Sequence, residues 1–121
     1  MESSILNDIK KMLGLPPDYT PFDQEIIIFI NTVLATIHQL GHGDSAYAIT
    51  SAEDTWSDFL GEDSANLELV KTYVFLKVRL LFDPPASSSI LQAFTELAKE
   101  YEWRVYMEVD KKLQFDELDE E

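Results

Sequence analysis

Residues 66–85 read NLELVKTYVFLKVRLLFDPP, and this stretch decides the fold. Leu67, Val70, Val74, Val78 and Leu81 recur at three- and four-residue spacing and form one helical stripe. Leu69, Leu76 and Leu80, flanked by Tyr73, form a second stripe roughly 120° away when residues are placed at 100° intervals. Asp83, Pro84 and Pro85 stop the helix, because a proline ring clashes with the turn before it. A surface helix needs one apolar face. A helix with two is either the centre of a bundle or is partly buried against another subunit.

The flanking sequence supplies helices for it to pack against. Ile5, Leu6, Ile9, Met12 and Leu13 give a short first helix that ends at Gly14-Leu15-Pro16-Pro17. Thr20, Pro21 and Asp23 read as a cap, a first-turn proline and an early acid opening a second helix. Its stripe is Ile26, Ile30, Val33, Leu34, Ile37 and Leu40, and it stops at Gly41 and Gly43. Asp44 to Ser51 suits a loop or short extended segment, with Tyr47 and Ile49 alternating. Ser51 and Asp54 read as the cap of a short connector helix carrying Trp56, Phe59 and Leu60 and closed by Gly61. The last helix opens in Ser87–Ser89, with Ser89 and Gln92 spaced as a capping box, and continues to about Tyr106 or Val109. Its core stripe is Ile90, Phe94, Leu97, Ala98, Tyr101 and Val105. The expected fold is all-α: a small helical bundle of about four helices plus one short connector helix, with an extended acidic C-terminal tail. Residues 1–109 form the domain. Residues 110–121 form the tail, which holds six acids against Lys111 and Lys112 and should be disordered in isolation.

Composition excludes several function classes. The 121 residues carry 23 Asp and Glu against nine Lys and Arg, a net charge of -14, which repels a nucleic-acid backbone and an anionic membrane alike. With 45% hydrophobic residues the body of the chain can still bury a core. There is no cysteine, hence no disulfide framework or thiolate chemistry, and no apolar run long enough to span a bilayer. The opening Met-Glu-Ser-Ser lacks the pattern of a signal peptide, so a cytoplasmic protein is expected. His38 and His42 have the spacing of two zinc ligands and lie near Asp44, but Gly41 and Gly43 break the helix there and no third soft ligand exists; no metal is expected. No nucleophile elbow, phosphate loop or dinucleotide fingerprint occurs, and the acids are scattered rather than paired in one place, so neither an enzyme nor a cofactor is expected.

The candidate functional residues are therefore those of an interface. The second stripe, Leu69, Leu76 and Leu80, can meet a neighbouring subunit or another helix of the same one. Trp103 falls opposite the core stripe of the last helix, with Tyr106 and Lys99, and is either an outward anchor or an indole folded back into the core. Lys71, Lys77, Arg79 and Arg104 are either solvated partners of nearby acids or bridges to carboxylates of a neighbour.

KTYVFLKVRLLFDPP (71–85), together with FLGEDSANLELV (59–70) and SSSILQAFTELAKEYEWR (87–104), resembles the head-tail connector, or adaptor, family of long-tailed bacteriophages. ILNDIKKMLGLPPDYTPFDQEIIIFINTVLATIHQLGHG (5–43) is similar to the same family, so the resemblance covers residues 5 to about 106. It implies a structural virion protein of the neck, assembled in the bacterial cytoplasm, with no catalytic residues. It implies a homo-oligomeric ring of about twelve copies, rotationally symmetric, seated under the portal protein. Such a ring extends the DNA channel and docks the next neck, stopper or tail-completion protein, while genomic DNA passes without specific binding. The C-terminal segment of that family reaches toward the portal, which would give Asp116 and Glu117 a partner. Asp44 would add to a negative channel wall if the loop at 41–51 faces the lumen. The alternatives are an acidic inhibitor that mimics DNA, with carboxylates arrayed along one surface, and a generic helical protein-interaction module.

Overall fold

The computed structural model describes residues 4–41, 47–60 and 66–119, with side chains through Glu108. Its helices are α1 (Ile5–Met12), α2 (Asp23–Gln39), α3 (Trp56–Leu60), α4 (Leu67–Phe82) and α5 (Ser88–Asp119), and the described residues include no strand. The all-α bundle with a short connector helix is what the hydrophobic periodicity predicts.

Helix α1 is defined at both ends by its own sequence. The Ser4 hydroxyl accepts from the Asn7 amide at 3.1 Å. Gly14, at φ 87°, lets Leu15 N–H reach Lys10 O at 2.8 Å while its own N–H reaches Lys11 O at 3.0 Å, the Schellman pairing that satisfies the last carbonyls. Ile5, Leu6 and Ile9 are buried, whereas Met12, at the frayed end of the expected stripe, is exposed. The same helix buries a charge: Lys10 is 1% exposed, its ammonium 2.8 Å from Asp23 Oδ1 and donating to Pro17 O at 3.0 Å. That ion pair changes the start of α2. Asp23 is its first residue and Phe22 its cap position, with no side-chain cap; Thr20 instead offers its carbonyl to Asp23 N–H at 3.1 Å in a preceding turn. The Thr20 cap expected from the sequence is thus replaced by a turn plus a buried lysine.

Ile26, Ile27, Ile30, Val33, Leu34 and Ile37 of α2 are buried, as its stripe predicts. From this helix the Asn31 amide grips the segment after it, donating to Ile49 O at 3.0 Å and accepting from Ile49 N–H at 2.7 Å, so that Ile49 is driven into the core. Asp54 then organises the turn rather than capping α3. Its carboxylate accepts from Thr50 N–H at 2.7 Å, Ser51 N–H at 3.2 Å and the Tyr47 hydroxyl at 2.8 Å. The Thr50 amide first, with Tyr47 and Ser51 adding to it against partial burial, holds this carboxyl below its usual range. The cap of α3 lies one residue on: Thr55 Oγ1 accepts from Asp58 N–H at 3.2 Å and Asp58 Oδ2 accepts from Thr55 N–H at 3.0 Å. Gly61, expected to close α3, lies outside the described residues. Asp8 joins three helices, accepting from the Trp56 indole at 2.9 Å and pairing with Lys71 at 3.2 Å.

Helix α4 is central. Its first stripe faces α1 and α2, with Val70, Val74 and Val78 fully buried and Phe82 edge-on to Phe22 at 5.3 Å. Leu81, assigned to the same stripe, lies at the open end and is 47% exposed. The second stripe faces α5. Tyr73 donates to Glu102 there, and Phe75 meets Phe94 at 6.4 Å. Helix α5 begins at Ser88, with Leu91 N–H on Ser87 O at 2.8 Å, so Ser89 stands inside the helix and the expected Ser89–Gln92 box does not cap it.

Two further expectations for α5 are corrected. Its buried residues are Ala98 and Val105, flanked by half-buried Phe94 and Tyr101, while Ile90 is 50% and Leu97 39% exposed. A helix covered mainly by one neighbour buries only a narrow stripe, and these two lie roughly 70–90° from the midpoint of Ala98 and Val105. The helix also continues to Asp119, past the stop expected at Tyr106 or Val109. No glycine or proline follows Pro85, so nothing in the sequence ends it. Tyr73 lies opposite Glu102 in an antiparallel pair, which sets the start of α4 level with about residue 108, and roughly 16 Å of α5 runs on with no α4 beside it.

Removing one partner of a buried pair strands the other. Asp23→Ala is expected to lower stability by about 3 kcal/mol, and Lys10→Met, which removes the buried charge itself, by less than half of that. Urea midpoints of the two variants check the asymmetry.

Candidate subunit and partner interface

The structure separates the candidate residues into two groups. On α4, Leu76 is buried and Leu69 and Leu80 are half-buried, all on the side turned to α5. Much of the second stripe is therefore used inside the subunit, and Leu76 is not available to a neighbour. The polar centre of that seam is Tyr73. Its ring is fully buried and its hydroxyl donates to Glu102 Oε1 at 2.7 Å. Burial, and then the facing carboxylate, push the phenol well above its usual range. Beside it a small recess of 100 Å³ opens between α4 and α5, bounded by Lys77, Leu80, Thr95, Ala98, Lys99 and Glu102.

On α5, Trp103 is 60% and Tyr106 45% exposed, their rings tilted against each other at 6.0 Å. The indole points outward and does not fold into the core. Met107 adds a third exposed apolar side chain to this patch. It was missed in the sequence, although its four-residue spacing from Trp103 is the signal that finds it.

The cations are mostly consumed within the subunit. Lys71 pairs with Asp8 at 3.2 Å, Arg79 with Asp83 at 3.9 Å, Lys99 with Glu96 at 3.7 Å, and Arg104 with Glu100 at 2.8 Å. The Arg104 guanidinium also lies 5.4 Å from the Tyr101 ring centre. Lys77 has no ion pair among the described residues. The Lys99–Glu96 and Arg104–Glu100 pairs flank Trp103, so the outward face of α5 between residues 96 and 107 carries two acids and two cations and is locally neutral. The side chains of Asp116 and Glu117 lie outside the described residues, as do His42 and Asp44. Among the described residues no cluster of His, Cys, Asp or Glu could hold a metal ion, and no helix is long and apolar enough to cross a membrane.

An exposed aromatic patch on a locally neutral face of an otherwise acidic helical bundle has the chemistry of a protein-contact surface. Compared with known families, residues 5–112 match the model described as phage connector protein. The chain belongs to that family. No curated protein and no solved structure matches it. The connector is thus a structural phage protein rather than one of an enzyme family, and the match takes in all five helices, α5 as far as residue 112.

Tyr73 gives a test of the seam that holds the connector's long helix. Tyr73→Phe deletes the bond to Glu102 and is expected to cost about 1 kcal/mol at neutral pH. The phenol's pKa is raised in the folded state, so its contribution is complete below about pH 10 and is lost as pH rises beyond that. Denaturant midpoints across pH 7–11 should show a shallower alkaline decline in the variant than in the native chain.

Proposed function

We propose that this connector forms a rotationally symmetric ring, of about twelve copies, at the head-tail interface of a long-tailed phage. The ring lies beneath the portal protein, lengthens the DNA channel, and presents its far side to a neck, stopper or tail-completion protein. The observation that carries this reading is the family match across residues 5–112. The exposed Trp103–Tyr106 patch supports it as a contact surface, with Lys99 and Arg104 on the same helix and Lys77 lining the same recess as Lys99.

Charge supports the channel role. A basic wall would hold each passing phosphate, whereas a subunit of net charge -14 repels the duplex and lets it slide. In this reading Asp44 adds to the lumenal wall, and the acidic residues after 109, Asp116 and Glu117 among them, reach toward the portal. The rival reading, an acidic DNA mimic, requires carboxylates free and arrayed along one surface. Asp8, Asp23, Asp54 and Glu102 are instead engaged inside the fold.

The direct test is to mix the protein with portal rings and examine class averages by electron microscopy. A symmetric layer on the narrow end of the portal is expected, and it should be lost on Trp103→Ala or on deletion of residues 110–121. Portal rings that stay bare with the native protein would overturn the reading. Because like-charged subunits must approach one another, assembly should strengthen as salt rises from about 0.1 M to about 1 M and the screening length falls from about 10 Å to about 3 Å. Native mass spectra of samples fixed at each salt concentration check the direction.

A further inference from the structure

A groove of 540 Å³ opens where α1 turns into Leu15–Pro17, bordered by Asn7, Asp8, Lys11, Leu15, Pro16 and Pro17. A recess in the range of roughly 300–1,000 Å³ accepts a group the size of a small molecule or a large side chain. It is built rigidly. The Schellman turn at Gly14 sets one wall, and the buried Lys10 ammonium holds the Pro17 carbonyl at 3.0 Å to fix the other. Asp8 on its floor is already satisfied by Trp56 and Lys71. Lys11 on its rim is exposed and has no ion pair among the described residues.

We infer that this groove receives Trp103 of a second copy of the chain. The inference deepens the connector reading, on which it rests for the ring, by naming the two halves of the contact between subunits. Charge permits the pairing: Glu96 and Glu100 stand beside Trp103 with exposed carboxylates that can each accept a second cation besides Lys99 or Arg104, and Lys11 at the groove has no ion pair among the described residues. The α5 face is neutral as a whole, so it can approach a second copy of an acidic chain without the repulsion met elsewhere. The apolar walls supplied by Leu15, Pro16 and Pro17 suit an indole, a side chain that can remove about 150–250 Å² from water. Position permits it too. Helix α4 packs against both α1 and α5, and α5 turns Trp103 away from its own buried residues Ala98 and Val105. A contact between two different patches is heterologous, and repeating it gives a closed ring when the rotation closes.

The test uses two full-length variants, Trp103→Ala and Lys11→Glu, both at exposed positions, with Lys11→Arg as the conservative control. Self-association is followed by sedimentation at about 1 M salt, where repulsion between subunits is screened. Each of the two variants should lose self-association by about tenfold or more, as expected for a central anchor, with its urea midpoint unchanged. Lys11→Arg should behave as the native chain. An equimolar mixture of Trp103→Ala and Lys11→Glu should give one-to-one dimers and nothing larger, because one supplies the groove and the other the indole. The inference is overturned if Lys11→Glu assembles like the native chain, if the mixture stays monomeric, or if the native chain never self-associates in solution or on the portal. Self-association in the expected pattern with no layer on the portal would keep the groove contact and remove the head-tail assignment.

Discussion

Helix α4 has two apolar faces, and the arrangement of the other helices follows from burying both. Val70, Val74 and Val78 commit one side to α1 and α2, while Tyr73, Leu76 and Leu80 commit the other to α5. Because the faces are roughly 120° apart, α4 packs α1 and α2 on one side of itself and α5 on another. The groove follows α1. Helix α5 is covered along a narrow stripe and otherwise open. A helix placed in this way keeps Ile90, Leu97 and Trp103 exposed, although the same apolar content in a closed four-helix bundle would be core.

The polar interactions hold connections more than helices. Asn31 fixes Ile49, Asp54 gathers Thr50, Ser51 and Tyr47, and Asp8 ties α1 to α3 and α4. Each uses one carboxyl or amide to satisfy several donors or acceptors in segments that have no ladder of their own. Lys10 does this from the inside. Its burial would be costly if unpaired, yet with Asp23 and the Pro17 carbonyl it joins the end of α1, the turn and the start of α2 in one contact.

Helix existence and order were legible in the sequence, because apolar spacing and the proline stops act over many residues at once. The ends of helices were less so. Thr20, Ser51 and Ser89 all have the chemistry of a cap, but a cap also needs the right backbone geometry: α2 starts with no side-chain cap, α3 is capped by Thr55, and α5 starts before Ser89. Thr55 with Asp58 is the clearest case, since Ser51 with Asp54 has the same residue types at the same spacing. Lys10 was illegible because its partner, Asp23, lies beyond a turn and is found only in three dimensions. In the candidate interface, the helical spacing put Trp103 and Tyr106 opposite a core stripe but left open whether the indole turns outward or folds back, which only the packing of α5 decides. The groove was not legible, because Gly14-Leu15-Pro16-Pro17 reads simply as a stop, and the hollow beside it depends on how that stop is pinned.

In the proposed ring, a strongly acidic subunit has to repel DNA and still meet its own kind. Spreading nine cations evenly over the surface would weaken the first property without securing the second. The structure instead concentrates them. Lys10 and Lys71 neutralise acids where helices join, and Lys99 and Arg104 neutralise Glu96 and Glu100 around the exposed indole. Intrahelical pairs of this kind add little to stability, on the order of a few tenths of a kcal/mol each. Their value here is positional. They cancel the field over one strip of α5 and leave the excess negative charge on the rest of the surface, where a passing duplex would meet it. In the proposed ring, repulsion and assembly would then occupy different faces of one small bundle, and an apolar contact between subunits would need to overcome only the long-range, salt-screened part of the charge.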